Sequence, residues 1–226
     1  MFVPEIKGLK YPDEFVTKFF FKNELHKHPG RVMEIGPSNG NNLLLFYEYG
    51  WDVEGVDISD EAVANAKHNF EKSKTANGLS NTFSFHQMDM LDYVKNYEGE
   101  PFDVILLPGS FYYTDVFEIN KMFECYAKKS MIKEDGLLML RFRSPEDYRF
   151  GKGEKMGPRT YKFDFDETNE EGCINTFFTK DELTNLIGQY MQLTNVVSCN
   201  LSFENPQRGH LINNVDIIVW GNIKPL

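Results

Sequence analysis

The stretch Val32-Met33-Glu34-Ile35-Gly36-Pro37-Ser38-Asn39-Gly40 decides the fold of this 226-residue chain. A short apolar run ends in an acid, turns through two glycines four apart, and opens a helical run over residues 41–49. About seventeen residues past Gly40, a second apolar run, Val53-Glu54-Gly55-Val56, ends in Asp57. Strand, glycine turn, helix, strand, acid is the sequence form of a nucleoside-binding β-α-β unit. The glycines let backbone and ligand approach closely, and the acid accepts hydrogen bonds from ribose hydroxyls.

Two kinds of nucleoside ligand are held by such turns. A dinucleotide needs its pyrophosphate on a helix N-terminus, and Gly-x-Gly-x-x-Gly clears room for it. Here Ser38 stands two past Gly36, the next glycine is Gly40, and no third follows at the required place. S-adenosylmethionine carries no phosphate, only a sulfonium, a carboxylate and an ammonium group. An acid such as Glu34 at the strand end suits that ammonium and would repel a pyrophosphate. The turn therefore favours S-adenosylmethionine as cofactor over a nicotinamide dinucleotide.

The length fits one domain, residues 1–226, with a substantial core. Twenty Phe and 11 Tyr give a high aromatic share, and a net charge of −10 repels polyanions. Nucleic acid is thus disfavoured as a partner. The first ten residues lack the apolar core of a signal peptide, and no apolar run approaches the ~20 residues of a membrane span. Cys125, Cys173 and Cys199 are odd in number and far apart, without metal-like spacing. No membrane partner, no metal and a cytoplasmic location are expected, with the chain a monomer or homodimer.

Residues 12–26 read as a helix with Phe15, Phe19 and Leu25 on one face, and strands end at Ile35 and Asp57. A helix capped by Ser59 or Asp60 runs to about residue 70, and residues 82–88 alternate as a third strand. Residues 102–107 are a continuous apolar run stopped by Pro108-Gly109, as in a buried parallel strand. An amphipathic helix covers 117–129, a fifth strand 137–143, and a capping box at Thr179-Lys180-Asp181-Glu182 opens a helix to about 190. Final strands near 195–203 and 213–221 are joined by 204–209. The alternation predicts an α/β fold, a mostly parallel sheet with helices on both faces. The last two strands lack an intervening helix, so they pair as a hairpin and make one strand antiparallel.

On these residues the chain resembles the class I S-adenosylmethionine-dependent methyltransferases, of small-molecule type, over nearly its whole length. The resemblance implies a seven-stranded sheet with one antiparallel strand. Glu34, Gly36, Pro37 and Gly40 match the family's first motif, with Ser38 replacing its middle glycine. Asp57 matches the acid that grips the ribose, and Ile58 the apolar residue against the adenine. Asp89 would meet the adenine amino group and the Met90 amide a ring nitrogen. Leu107 ends the fourth strand, which passes the methionine moiety and faces the acceptor.

The acceptor is less legible. After the fourth strand, Leu107-Pro108-Gly109-Ser110-Phe111-Tyr112-Tyr113 offers no side-chain amide or carboxylate to hold a planar nitrogen. After the fifth strand come seven basic residues, from Arg141 to Lys162, in an otherwise acidic protein. Residues 144–178 are expected to form an acceptor-side insertion with a small added β-hairpin. There Arg143 and Arg149 would bind a phosphate, phosphoramidate or carboxylate in bidentate fashion. Tyr113 and Tyr11 are further acceptor contacts, and residues 1–29 a helical lid. An anionic oxygen needs no base, which favours O-methylation, and by resemblance a place in surface-glycan biosynthesis. A sugar hydroxyl would need a base, with Tyr112, Tyr113 and His210 as weak candidates. Rival readings are an amine acceptor, a catalytically silent partner subunit, and a dehydrogenase suggested by Tyr148-x-x-x-Lys152, which Gly151 and Gly153 make a poor helix.

Overall fold

The sheet grows from the apolar runs that the chain must hide. In a computed structural model describing residues 6–226, the first unit is α1 (Glu14–Lys22), β1 (Arg31–Ile35), α2 (Asn41–Glu48) and β2 (Asp52–Asp57). Then follow α3 (Asp60–Asn77), β3 (Phe83–Gln87), α4 (Met90–Asn96), β4 (Phe102–Pro108), α5 (Val116–Lys128) and β5 (Ile132–Arg143). The chain closes with α6 (Lys180–Ile187), β9 (Met191–Gln207) and β10 (His210–Pro225). Residues 1–5 of the expected lid lie outside the described residues.

The seven strands are ordered β3-β2-β1-β4-β5-β10-β9, with β10 antiparallel to both neighbours. Side chains alternate across the pleat, so each central strand feeds two cores. Val32, Val104, Leu106 and Met139 pack under α1, α2 and α3. Met33, Ile105, Leu107 and Leu140 pack under α4, α5 and α6. Strand order reverses between β1 and β4, which opens a crevice beyond their carboxyl ends.

The expected hairpin in 144–178 is a three-stranded antiparallel sheet, β6 (Glu154–Gly157), β7 (Thr160–Lys162) and β8 (Ile174–Thr176). Charge and glycine hid β6, which reads in sequence as a loop. The closing hairpin is longer than its apolar stretches suggest. Only Arg208 and Gly209 turn, both at positive φ (44° and 81°), the two-residue geometry that matches strand twist. Pro206 is tolerated because β9 is an edge strand. Asp135, at φ 61°, sits in a bulge within β5 rather than in a turn before it. The helix α4 was missing from the sequence reading, and α1 ends at Lys22 rather than His26. Among the described residues no helix is long and apolar enough to cross a membrane.

Candidate active site

Alternate residues of the glycine turn are left-handed: Gly36 (φ 68°), Ser38 (φ 51°) and Gly40 (φ 78°). Gly36 is required twice over, because a Cβ there would also collide with the Ser110 side chain. Ser110 Oγ in turn donates to the Ile35 carbonyl and ties the β4 loop to the β1 turn. The conformation stores about 1 kcal/mol at Ser38, which has a Cβ. It also aims the Ser38 N–H at Asp57 Oδ2 (3.0 Å), while Asp57 Oδ1 accepts from the Ser59 N–H (3.0 Å). Each carboxylate oxygen keeps a lone pair for a ribose hydroxyl. Pro37 is buried and packs close to Gly55, so it shapes the turn from beneath.

Glu34 is the anomaly of the crevice. It points to the same sheet face as Val32 and is 1% exposed. Oε1 accepts from Asn42 Nδ2 (2.8 Å), and Oε2 is buried with no partner. Burial pushes its pKa up to about 8; Asp13 and Asp57 add to the rise, and the Asn42 bond only partly offsets it. A buried acceptor left unpaired costs free energy, and a cationic donor would relieve it.

Residues 7–13 form a strap held against the glycine turn, α2 and α3 by four asparagines. Asn69 exchanges hydrogen bonds with both backbone groups of Lys7 (2.9 and 3.0 Å), and Asn39 does the same for Leu9 (3.2 and 2.7 Å). Asn41 donates to the Tyr11 carbonyl (2.8 Å), and Asn42 accepts from the Asp13 N–H (2.8 Å). Asp13 caps α1 and receives Arg141 Nη1 (2.8 Å), whose guanidinium also meets Asp216 (2.7 Å). Asn39 belongs to the glycine turn itself, so strap and turn are mechanically coupled.

Where the adenine is expected, Ile58 is 71% and Met88 40% exposed, an unusual pair of bare apolar side chains. The Met88 N–H donates to the Asp57 carbonyl (3.0 Å) and fixes the two strand ends together. Asp89 Oδ1 caps α4 through Leu91 (2.8 Å) and Asp92 (3.1 Å). The Met90 amide, in the first turn of that helix, has no intrahelical acceptor. The Leu107 side chain turns away from the strand end into the sheet's core. It is fully buried in the α4–α6 core, and its carbonyl accepts from Gly109 (3.0 Å).

Arg143 and Arg149, the residues expected to meet the acceptor, are buried rather than free in a loop. Arg143 stacks on Tyr112 (5.0 Å) and Tyr113 (5.4 Å), and donates to Asn175 and to Glu170 Oε1 (2.6 Å). Arg149 meets Glu170 Oε2 through Nε, and Asp147 (3.0 Å) and Asn214 (3.2 Å) through Nη1. Tyr113 Oη donates to Glu170 Oε1 (2.6 Å). Burial pushes the Glu170 carboxyl up, but Arg143, Tyr113 and Arg149 outweigh it and hold it below its ordinary value. Tyr11 is exposed on the strap, and His210 is exposed beside the closing hairpin turn.

A family model described as a methyltransferase domain matches residues 8–196. The chain belongs to that family. A methyltransferase from Methanosarcina mazei, described as S-adenosylmethionine-dependent, superposes with a TM-score of 0.60 at 17% identity, covering 89% of this chain and 96% of that one. The N-methyltransferase NodS from Bradyrhizobium japonicum, solved with S-adenosyl-L-homocysteine, gives 0.55 at 13% identity, with 92% and 86% covered. Polyamine aminopropyltransferase 2 from Caldanaerobacter subterraneus is 32% identical over 85 residues, 37% of this chain and 28% of that protein. The alignment thus spans less than a third of that curated relative.

Within this methyltransferase, burial raises the phenols of Tyr112 and Tyr113 above their ordinary value. Both stay protonated at neutral pH. Sequence reasoning missed Asn42 and Glu170, and it counted Arg141 among the basic acceptor-side residues without its partners Asp13 and Asp216. Asn42 reads as an ordinary helix residue, and Glu170 as one acid in a polar loop. Only the fold brings them to the crevice.

Proposed function

We propose that this methyltransferase uses S-adenosylmethionine to methylate an oxygen of a small anionic acceptor, a phosphate, phosphoramidate or carboxylate. The observation that carries the cofactor is Glu34 Oε2, a buried acceptor without a partner at the carboxyl end of β1. The ammonium of S-adenosylmethionine is the cationic donor this atom lacks. Asp57 would receive the ribose hydroxyls, Ile58 the adenine face, and Asp89 with the Met90 amide its edge. When bound, S-adenosylmethionine supplies a methyl group already activated by its sulfonium.

The protein's task is then orientation and exclusion of water. The strap over residues 7–13, tied to the glycine turn through Asn39, would shield the cofactor, and the β4 loop would present Tyr112 and Tyr113 to the acceptor. With both phenols held neutral, neither is ready to take a proton from a hydroxyl acceptor, whereas an anionic oxygen needs no base. The buried arginine pair supports an anionic acceptor, because each guanidinium can take a carboxylate or phosphate in bidentate fashion, although Glu170 and Asp147 balance the pair in this structure.

Calorimetric titration with S-adenosylhomocysteine and, separately, NAD tests the cofactor: binding of NAD alone would overturn it. Transfer of a labelled methyl group to a panel of small carboxylates and phosphates, with amines and sugars as controls, tests the acceptor. Labelling confined to the amines or sugars would refute the anionic reading.

A further inference from the structure

We propose that the Glu170 carboxylate is a built-in substitute for the acceptor's anionic group, holding the acceptor cradle shut until a carboxylate or phosphate displaces it. The inference rests on the anionic-acceptor reading above and identifies what occupies that site beforehand. One carboxylate receives two buried guanidiniums and a phenol: Arg143 and Tyr113 at Oε1, Arg149 at Oε2. Both of its oxygens are spread across two cations, as a bound carboxylate or phosphate would be. The cations come from the carboxyl end of an interior strand and the segment just after it: Arg143 ends β5, and Arg149 follows it. The carboxylate comes from elsewhere, the loop between β7 and β8 at residues 163–173.

The partners differ in how firmly they are held. Arg143 is also fixed by Asn175 and by the stacked Tyr112 and Tyr113 rings. Arg149 is also fixed by Asp147 and Asn214, and Asp147 itself accepts from the Val215 N–H (3.0 Å). The cradle therefore keeps its shape without Glu170. The loop is anchored mainly toward its start, by the buried Phe163 and the exposed Arg208–Asp166 ion pair. Two side-chain atoms beside Glu170, Glu167 Oε2 and Thr168 Oγ1, are buried there with no hydrogen-bond partner. Each such atom penalises the docked loop, and both penalties vanish when it swings into water. Asn169 at φ 59° adds local strain to the same segment.

Charge completes the argument. Arg143 and Arg149 are balanced by Glu170 and Asp147, so the closed cradle is neutral. Undocking Glu170 leaves one positive charge in excess inside a buried site, and an incoming anion restores neutrality. An amine or neutral sugar would not.

The probes are inorganic phosphate and acetate, titrated against the full chain without cofactor. Glu170→Gln keeps the loop's shape and removes the competing charge, so phosphate should bind about tenfold or more tightly than to wild type. Adding Arg149→Gln to that variant should abolish the gain. A folded Glu170→Gln protein with no gain in affinity for either anion would overturn the proposal. Should that variant not fold, hydrogen exchange on wild type decides. Phosphate should speed exchange at residues 163–173 and leave β7 and β8 unchanged, and an unaffected loop overturns the proposal. Neither assay needs turnover or S-adenosylhomocysteine, so a failure of methyl transfer to anionic acceptors would register separately.

Discussion

Glu34 makes cofactor affinity a function of pH in a way that can be worked out beforehand. Its carboxyl titrates at about 8, chiefly because it is buried. With that value, about 1% is ionised at pH 6, about 10% at pH 7 and half at pH 8. Only the ionised form pairs with the ligand ammonium. The dissociation constant of S-adenosylhomocysteine should therefore fall about tenfold from pH 6 to pH 7, about fiftyfold from pH 6 to pH 8, then level off. Binding at pH 7 should release about 0.9 proton, measurable by calorimetry in buffers of different ionisation enthalpy. The same shift governs the free protein. The folded pKa lies above the unfolded one, so stability is fully present below about pH 4.5, declines as pH rises, and stops declining above about pH 8. The shift is worth about 5 kcal/mol across that window. Saturating S-adenosylhomocysteine should offset the decline. Glu34→Gln should show weak, pH-independent affinity and no proton release. A wild-type affinity that is flat from pH 6 to pH 8 would refute the assignment of Glu34 to the ammonium.

Other outcomes follow from the same geometry. Ser38→Gly relieves a side chain held at φ 51° and should raise unfolding stability by about 1 kcal/mol in urea; an unmoved midpoint would mean the turn holds serine without strain. Asn39→Ala strips both backbone groups of Leu9 of their partner, at a cost of about 2 kcal/mol. Amide exchange should then rise across residues 7–13, and S-adenosylhomocysteine should dissociate faster; unchanged exchange would remove the strap from the site. Tyr113→Phe should leave the shape of kcat against pH intact, because burial keeps that phenol neutral. Loss of an alkaline limb would restore the tyrosine as a base.

The succession of strands and helices along the chain was legible because it follows from which segments are apolar and how they are spaced, whereas the order of the strands within the sheet came only with the structure. Residues 102–107 form a buried central strand whatever their neighbours, and the capping box at Thr179 and Glu182 starts α6 as written. The glycine turn and Asp57 were legible for a related reason: a left-handed backbone and a strand-end acid are local requirements, visible over a few residues. Element lengths were less so. The strand β9 runs through Pro206, a residue that ends most strands, because only a neighbouring β10 with no strand beyond β9 makes that proline harmless.

What the sequence alone determined is the nucleoside-type β-α-β unit, the antiparallel closing strand and the acid at Glu34. All of these depend on contacts between residues near in the chain or on apolar periodicity. What only the tertiary structure decided is the state of the charges. Glu34 is neutral because residues from α2 and the strap seal it, and Arg143 and Arg149 are paired because a loop some twenty residues later returns Glu170 to them. Burial and long-range pairing set whether an ionisable side chain is charged, free or spent, and neither is a property of the residue or its immediate neighbours.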